Sequence, residues 1–173
     1  MPMRKAFPFY CFFLILLSAG CEKNDTQPNS DETFMSAYSN NSEFWISNEP
    51  YASLSKKNKI IWIGGYRTTR NENEGDARLL LMQLEITDLS DLKNTIIKNA
   101  QYESIIGGDV VTDLYTIDIT DANNKIVITE IDETNKIIKG QFNLSLIRDA
   151  WFSGNGEKVE FNSGEFVTNY TEE

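Results

Sequence analysis

No histidine occurs in the 173 residues, and the chain holds only two cysteines and four prolines. Without imidazole there is no Ser-His-Asp or Cys-His nucleophilic site, none of the usual zinc sites and no haem held by histidine. Both cysteines, Cys11 and Cys21, lie at the start of the chain, so the remainder has neither disulfide nor thiol and must rely on a hydrophobic core. Long hydrophobic runs are missing too. The most apolar stretch, from about Phe7 to Leu17, falls short of the roughly 20 residues that cross a bilayer. Gly154-Asn155-Gly156 has no helix pattern after it and reads as a turn, not as a dinucleotide loop. Positive charge is scarce: 16 Lys+Arg stand against 26 Asp+Glu, a formal charge of −10. Such a chain is repelled by nucleic acid and by anionic headgroups. No internal repeat of solenoid length stands out, and the residues call for no metal or other cofactor.

What is present begins with a processing signal. Arg4 and Lys5 precede the unbroken run Phe12-Phe13-Leu14-Ile15-Leu16-Leu17, and Ser18, Ala19 and Gly20 are small residues directly before Cys21. Positive start, short apolar middle and small-residue end are the parts of an export signal. With a cysteine at the cut it resembles the bacterial lipobox, in which the thiol takes a diacylglyceryl group and the signal is removed just before it. Here Ser18 stands where the usual box prefers Leu. The expectation is a signal over residues 1–20, a lipidated Cys21, and a membrane contact made through that lipid alone. Removing 20 of 173 residues leaves 153 and takes away two cations, so the formal charge moves from −10 to −12. A chain of that length buries about two-thirds of its unfolded surface, enough for one domain. Residues 22–33, EKNDTQPNSDET, carry no aliphatic or aromatic side chain. They cannot offset their ordering entropy by burial and read, with Cys21, as a flexible tether of roughly 20 Å root-mean-square span.

From Phe34 to Glu173 the apolar period is mostly two, the pattern of half-buried strands in one domain. Lys59–Arg67 (KIIWIGGYR) reads as a strand in which Gly64-Gly65 marks a bulge or a close backbone approach. Trp62, flanked by Ile61 and Ile63, reads as core. Ala77–Ile86 (ARLLLMQLEI) is a central strand by composition, although the same run fits a helix. Thr87–Asn99 places Leu89, Leu92 and Ile96 at helical spacing with Thr87 as N-cap, which predicts a short helix or an irregular crossover. Tyr115–Thr120, Lys125–Asp132 and Lys136–Arg148 alternate between turns at 121–124 and 133–135. On the last of these Ile138, Gly140, Phe142, Leu144 and Leu146 share a face. Val159 and Phe161 begin another strand, and Phe166, Thr168 and Tyr170 end the chain in a further one. Strands joined by short turns describe an all-β fold, an antiparallel meander closing as a β-sandwich or a lipocalin-like barrel.

The order of these pieces resembles a family of Bacteroidota lipoproteins of unknown function. The likeness lies in Phe34-Met35-Ser36-Ala37, Trp45, KIVITEID, KIIKGQFNLSL and the closing FNSGEFVTNY. In that family a strand ending in Ile-Thr-x-x-Asp precedes a Gly-x-Phe-x-Phe strand and a final Gly-x-Phe strand. Leu144 takes the second Phe place here, and the opening segment lacks the usual glycine. The resemblance implies a β-rich domain behind a lipid anchor, and no catalytic residues. The acidic run after Cys21 resembles the export signals of surface-exposed lipoproteins in the same phylum, so the expected location is the outer membrane.

Two groups of side chains invite a chemical reading. Asp109, Asp113, Asp118, Asp121, Glu130, Asp132 and Glu133 crowd one region. Two acids suffice for glycoside hydrolysis, but Asp at turns commonly binds its own backbone. The favoured reading puts Asp118 and Glu130 on a solvated face and the others in turns. A calcium site from Asp118, Asp121 and Asn123 lacks the EF-hand spacing. Trp151-Phe152, in a connection, either caps one end of the sheet or offers a platform to a sugar ring or a partner's side chain. Three functions follow in order: a non-catalytic surface lipoprotein binding a glycan or protein, a structural accessory subunit of an envelope complex, and a carboxylate-dependent glycosidase.

Overall fold

Alternation of apolar and polar side chains resolves into ten strands in the computed structural model, which describes residues 33–40, 42–47, 49–68, 77–149 and 156–173. They are β1 (Phe34–Ser39), β2 (Glu43–Ser47), β3 (Tyr51–Ser55), β4 (Ile60–Thr68), β5 (Ala77–Asp88), β6 (Asp91–Ile106), β7 (Val110–Ile117), β8 (Lys125–Asp132), β9 (Ile137–Arg148) and β10 (Lys158–Glu172). No helix occurs among the described residues. The strands form one sheet in the order β2-β1-β10-β3-β4-β5-β6-β7-β9-β8, and an additional β9–β10 pairing closes the ring. One edge of β10 serves two partners: it runs antiparallel to β1 up to Val167, then parallel to β3 from Tyr170 to Glu172. In the same way β9 meets β8 along Ile137–Asn143 and β7 at Leu146–Arg148. The all-β expectation holds. The sheet is mixed rather than purely antiparallel, because the last strand returns to lie beside β3.

The core fills the ring. Met35, Trp45, Ile63, Leu80, Met82, Leu84, Leu146 and Phe161 are fully enclosed. On β9 the face predicted to be buried is buried, from Ile138 to Leu146. The two Gly-x-Phe segments explain each other. Gly140 on β9 pairs with Phe166 on β10, and Phe142 pairs with Gly164. Each ring therefore lies across the ladder over the opposite glycine, the cross-strand covering by which an aromatic compensates a bare glycine. A methyl on Gly164 would sit 2.5 Å from the Phe142 ring. Gly64-Gly65 is a close approach and not a bulge, since β4 pairs without a shift on both sides. The Tyr51 ring covers Gly64 on one face, and Met35 Sδ and Trp45 Cη2 would lie 2.8 and 2.9 Å from a Cβ on Gly65. Gly65 thus lets the β1–β2 hairpin seal the ring, where the Tyr66 amide donates to Ser47 Oγ at 3.0 Å.

Four expectations need correction. Thr87–Asn99 is neither helix nor crossover: it turns at Leu89-Ser90 and returns as β6 against β5. Asp88 accepts the Ser90 amide at 2.8 Å, and Thr87 donates its hydroxyl to the Asn94 carbonyl across the hairpin at 2.7 Å instead of capping. Register shifts between Gln83 and Leu84, and between Ile86 and Asp88, break the period of two, which left apolar residues at helix-like spacing. Trp62 is half-buried and faces outward, because Ile61 and Ile63 both point in; of the two described tryptophans, Trp45 is the one in the core. Ile119 does not continue a strand: β7 ends at Ile117, and Ile119 is 87% exposed. The last two predicted strands are one. A bulge between Phe161 and Gly164, with Ser163 at φ +51°, moves the buried phase from Val159 and Phe161 to Phe166, Thr168 and Tyr170.

The outer surface is divided by chemistry. Counting from the buried neighbours, outward positions are Phe34, Ser36 and Tyr38 on β1, Phe44 and Ile46 on β2, Tyr51 and Ser53 on β3, and Ile60, Trp62, Gly64 and Tyr66 on β4. None is charged. Outward positions on β5, β6, β8, β9 and β10 include Glu85, Lys98, Glu130, Lys139 and Glu165.

Candidate functional site

Charged residues on an inward phase are costly unless they meet partners, and they collect at one end of the ring. Arg78 continues the phase of Leu80, Met82 and Leu84 on β5, and pairs across the ladder with Arg67 on β4. Glu43, at the start of β2, reaches both: its Oε1 lies 3.0 Å from Arg67 Nη1 and 3.8 Å from Arg78 Nη1. Asp113 on β7 is 3% exposed, on the same phase as Tyr115. Between these elements opens a recess of about 240 Å³, lined by Ser39, Glu43, Arg78, Tyr102, Ser104, Tyr115, Gly156 and Lys158.

Aromatic packing fixes its floor. Trp45 meets Phe161 edge-on at 5.9 Å, Phe161 meets Tyr102 at 5.1 Å, and Tyr102 meets Tyr115 at 6.0 Å. Core rigidity is thereby carried to the mouth. Tyr115 donates its hydroxyl to the Gly156 carbonyl at 3.1 Å, tying the end of the β9–β10 connection to β7. Burial pushes the Tyr102 phenol above its ordinary value, against the opposing pull of Arg78. Tyr115 is raised first by burial and then by Asp113. Both stay protonated at neutral pH and offer neutral hydroxyls beside a guanidinium and a carboxylate. This set can take hydrogen bonds of both senses and stack a ring edge.

The acids read as a cluster mostly serve turns. Asp118 accepts the Thr120 amide at 3.0 Å and Asp132 accepts the Thr134 and Asn135 amides at 2.9 Å. Asp121 accepts the Asn123 amide at 2.9 Å and Lys158 Nζ lies 3.2 Å away. These bonds, the Asn123 amide foremost, bring the Asp121 pKa down to about 2. Glu130 pairs with Lys139 on the outer face as read, while Asp118 belongs to the turns. Asp113 is the exception, buried in a strand rather than placed in a turn. Among the described residues no group of three or more Asp or Glu is placed to hold a metal ion.

Trp151, Phe152 and Cys21 lie outside the described residues. The segment holding the aromatic pair joins Arg148, paired with Tyr115, to Gly156 on the rim of the recess. Glu43, Arg78 and Tyr102 were missed in the sequence, although Arg78 was detectable as a charge on the buried phase of its strand. Three larger depressions lie elsewhere: a groove of about 460 Å³ over the outer face of β8, β9 and β10, a cleft of about 340 Å³ lined by Asp121, Asn143 and Glu160, and a cleft of about 530 Å³ between β6 and β8 rimmed by Ile96, Ile119 and Val127. No protein-family model, curated protein or solved structure matches the chain.

Proposed function

We propose that this protein is a lipid-anchored component of the cell envelope, held at an outer membrane through Cys21, whose β domain binds a small polar ligand without turning it over. The observation that carries the binding reading is the recess in which Arg78, Glu43, Tyr102 and Tyr115 converge at one end of the ring. A saccharide unit is the ligand chemistry that best matches it: hydroxyls pair with guanidinium and carboxylate, and a sugar face lies against tyrosine. Support for a non-catalytic role comes from Asp118, Asp121, Asp132 and Glu130, whose carboxylates are engaged by backbone amides or by a lysine. The anchor reading rests on the small-residue run before Cys21 and the polar segment that follows.

Two experiments test the halves separately. Cys21→Ser should block incorporation of labelled fatty acid and release the protein from the membrane fraction; a variant that stays in that fraction overturns the anchor. A saccharide panel screened against the purified protein should return ligands whose binding is lost in Arg78→Ala. Binding that survives Arg78→Ala, with the fold intact by circular dichroism, moves the site elsewhere.

A further inference from the structure

Every exposed aromatic residue among those described lies in one sector. Tyr38 (49%), Phe44 (50%), Tyr51 (46%) and Tyr66 (41%) all stand on β1–β4, joined by exposed Ile46; the exposed apolar residues of the other strands are all aliphatic. The Tyr38 and Phe44 rings touch at 5.5 Å. No outward position on these four strands is charged, in a molecule whose formal charge is −10. An uncharged wall of tyrosine, phenylalanine and isoleucine this extensive marks an interaction surface. Its chemistry is that of side chains that settle at the boundary of water and lipid.

The course of the chain says what meets it. The polar segment 22–33 joins the domain at Phe34, the first residue of β1 and itself part of this wall. Twelve residues reach at most roughly 40 Å from the lipid, so the wall is held close to the bilayer at a high effective concentration. Weak contacts that would be negligible for a free protein then suffice. Charge agrees with this assignment: anionic headgroups repel the molecule as a whole, and no outward position on the wall's own strands is a carboxylate.

We infer that the β1–β4 wall is a membrane-docking face, which lays the domain on its side against the lipid headgroups instead of leaving it free on its tether. The inference rests on the lipid-anchor reading and sharpens it, since it adds a second contact where the lipid alone was expected to touch the bilayer. Docked in this way, the protein keeps the end recess at the edge of the contact, open to solvent.

The test uses the lipidated protein on vesicles of zwitterionic phospholipid, with a nitroxide label on a single introduced cysteine. Tyr66→Cys reports the wall, Ser53→Cys provides a second wall position should the first not fold, and Gln141→Cys reports the opposite face. Collision with a water-soluble nickel chelate should fall several-fold at the wall on vesicles and stay unchanged at residue 141. Adding Phe44→Glu should restore wall accessibility while the protein still sediments with the vesicles. Equal accessibility of both faces on sedimenting protein overturns the docking face and spares the anchor. Protein that does not sediment at all overturns both. A wall already protected in solution, with the mass of a dimer, assigns the surface to a second copy and overturns the membrane contact. Wall protection that appears only when a soluble saccharide is added overturns it in favour of a glycan platform.

Discussion

Single residues in this fold act through their neighbour across the ladder. Phe142 is 2% exposed and its ring fills the space above Gly164, so Phe142→Ala both exposes apolar area and opens a cavity. A loss of about 3–5 kcal/mol is expected. Gln141, one residue away on the outer face, should change stability by less than about 0.5 kcal/mol on replacement by alanine. Denaturant melts of the two variants test the assignment of faces; comparable losses would mean that β9 is turned over. The reciprocal change is equally informative. Gly140→Ala would put a methyl against the Phe166 ring and 2.6 Å from the Val127 carbonyl oxygen, and overpacking of this kind costs about 1–3 kcal/mol. At this scale the sequence was legible wherever period two ran unbroken, as on β9. It misled at Trp62, where composition spoke for the core but two inward isoleucines had already claimed the inner face. Arg78 escaped notice because its meaning depends on Glu43, 35 positions earlier, and on Tyr102, 24 later, and only the folded ring brings the three together.

Strands were recognised more reliably than their continuity. The edges of β8 were read to the residue, since both flanking turns carry Asp or Asn that accepts backbone amides. β10 was split in two because its bulge shifts the buried positions from odd to even while the same face stays inward, and a change of phase inside one strand looks in sequence like a boundary between two. β6 was misread because long-range pairing with β5 decides its conformation, and local spacing does not record that partner. The bulge makes a prediction at this scale. Deleting Ser163 removes the bulge and restores strict alternation through β10, with Val159, Phe161, Phe166, Thr168 and Tyr170 all still on the inner face and the pairing with β9 kept in register. The deletion should therefore retain cooperative thermal unfolding, as should Ser163→Gly, which accepts the positive φ of 51° without strain. A deletion variant that loses cooperative unfolding would show that the bulge itself is needed for β10 to fit between β1 and β9.

For the whole molecule, charge sets the response to acid. The turn carboxylates Asp88, Asp118, Asp121 and Asp132, and Glu172 at the C-terminus, all have lowered pKa values, through amide, hydroxyl or lysine partners. Each favours the folded state while ionised, so its contribution is complete above the unfolded value and is lost as pH falls through the folded one. For Asp121 that interval runs from 3.8 down to about 2. Self-repulsion works in the opposite sense. A chain with a sequence pI near 4.5 is relieved of excess negative charge as pH drops from 7 toward that point. The melting temperature should therefore hold or rise from pH 7 to about 4.5, then fall steeply once the turn carboxylates take up protons. Asp121→Asn removes one titrating group from the descending limb: the variant should melt below the parent at neutral pH and approach it as pH nears 2. Melts recorded for both proteins between pH 2 and 8 decide the point. Curves that stay parallel throughout would show that Asp121 binds the Asn123 amide equally well without its charge, and that the acid limb belongs to the other carboxylates.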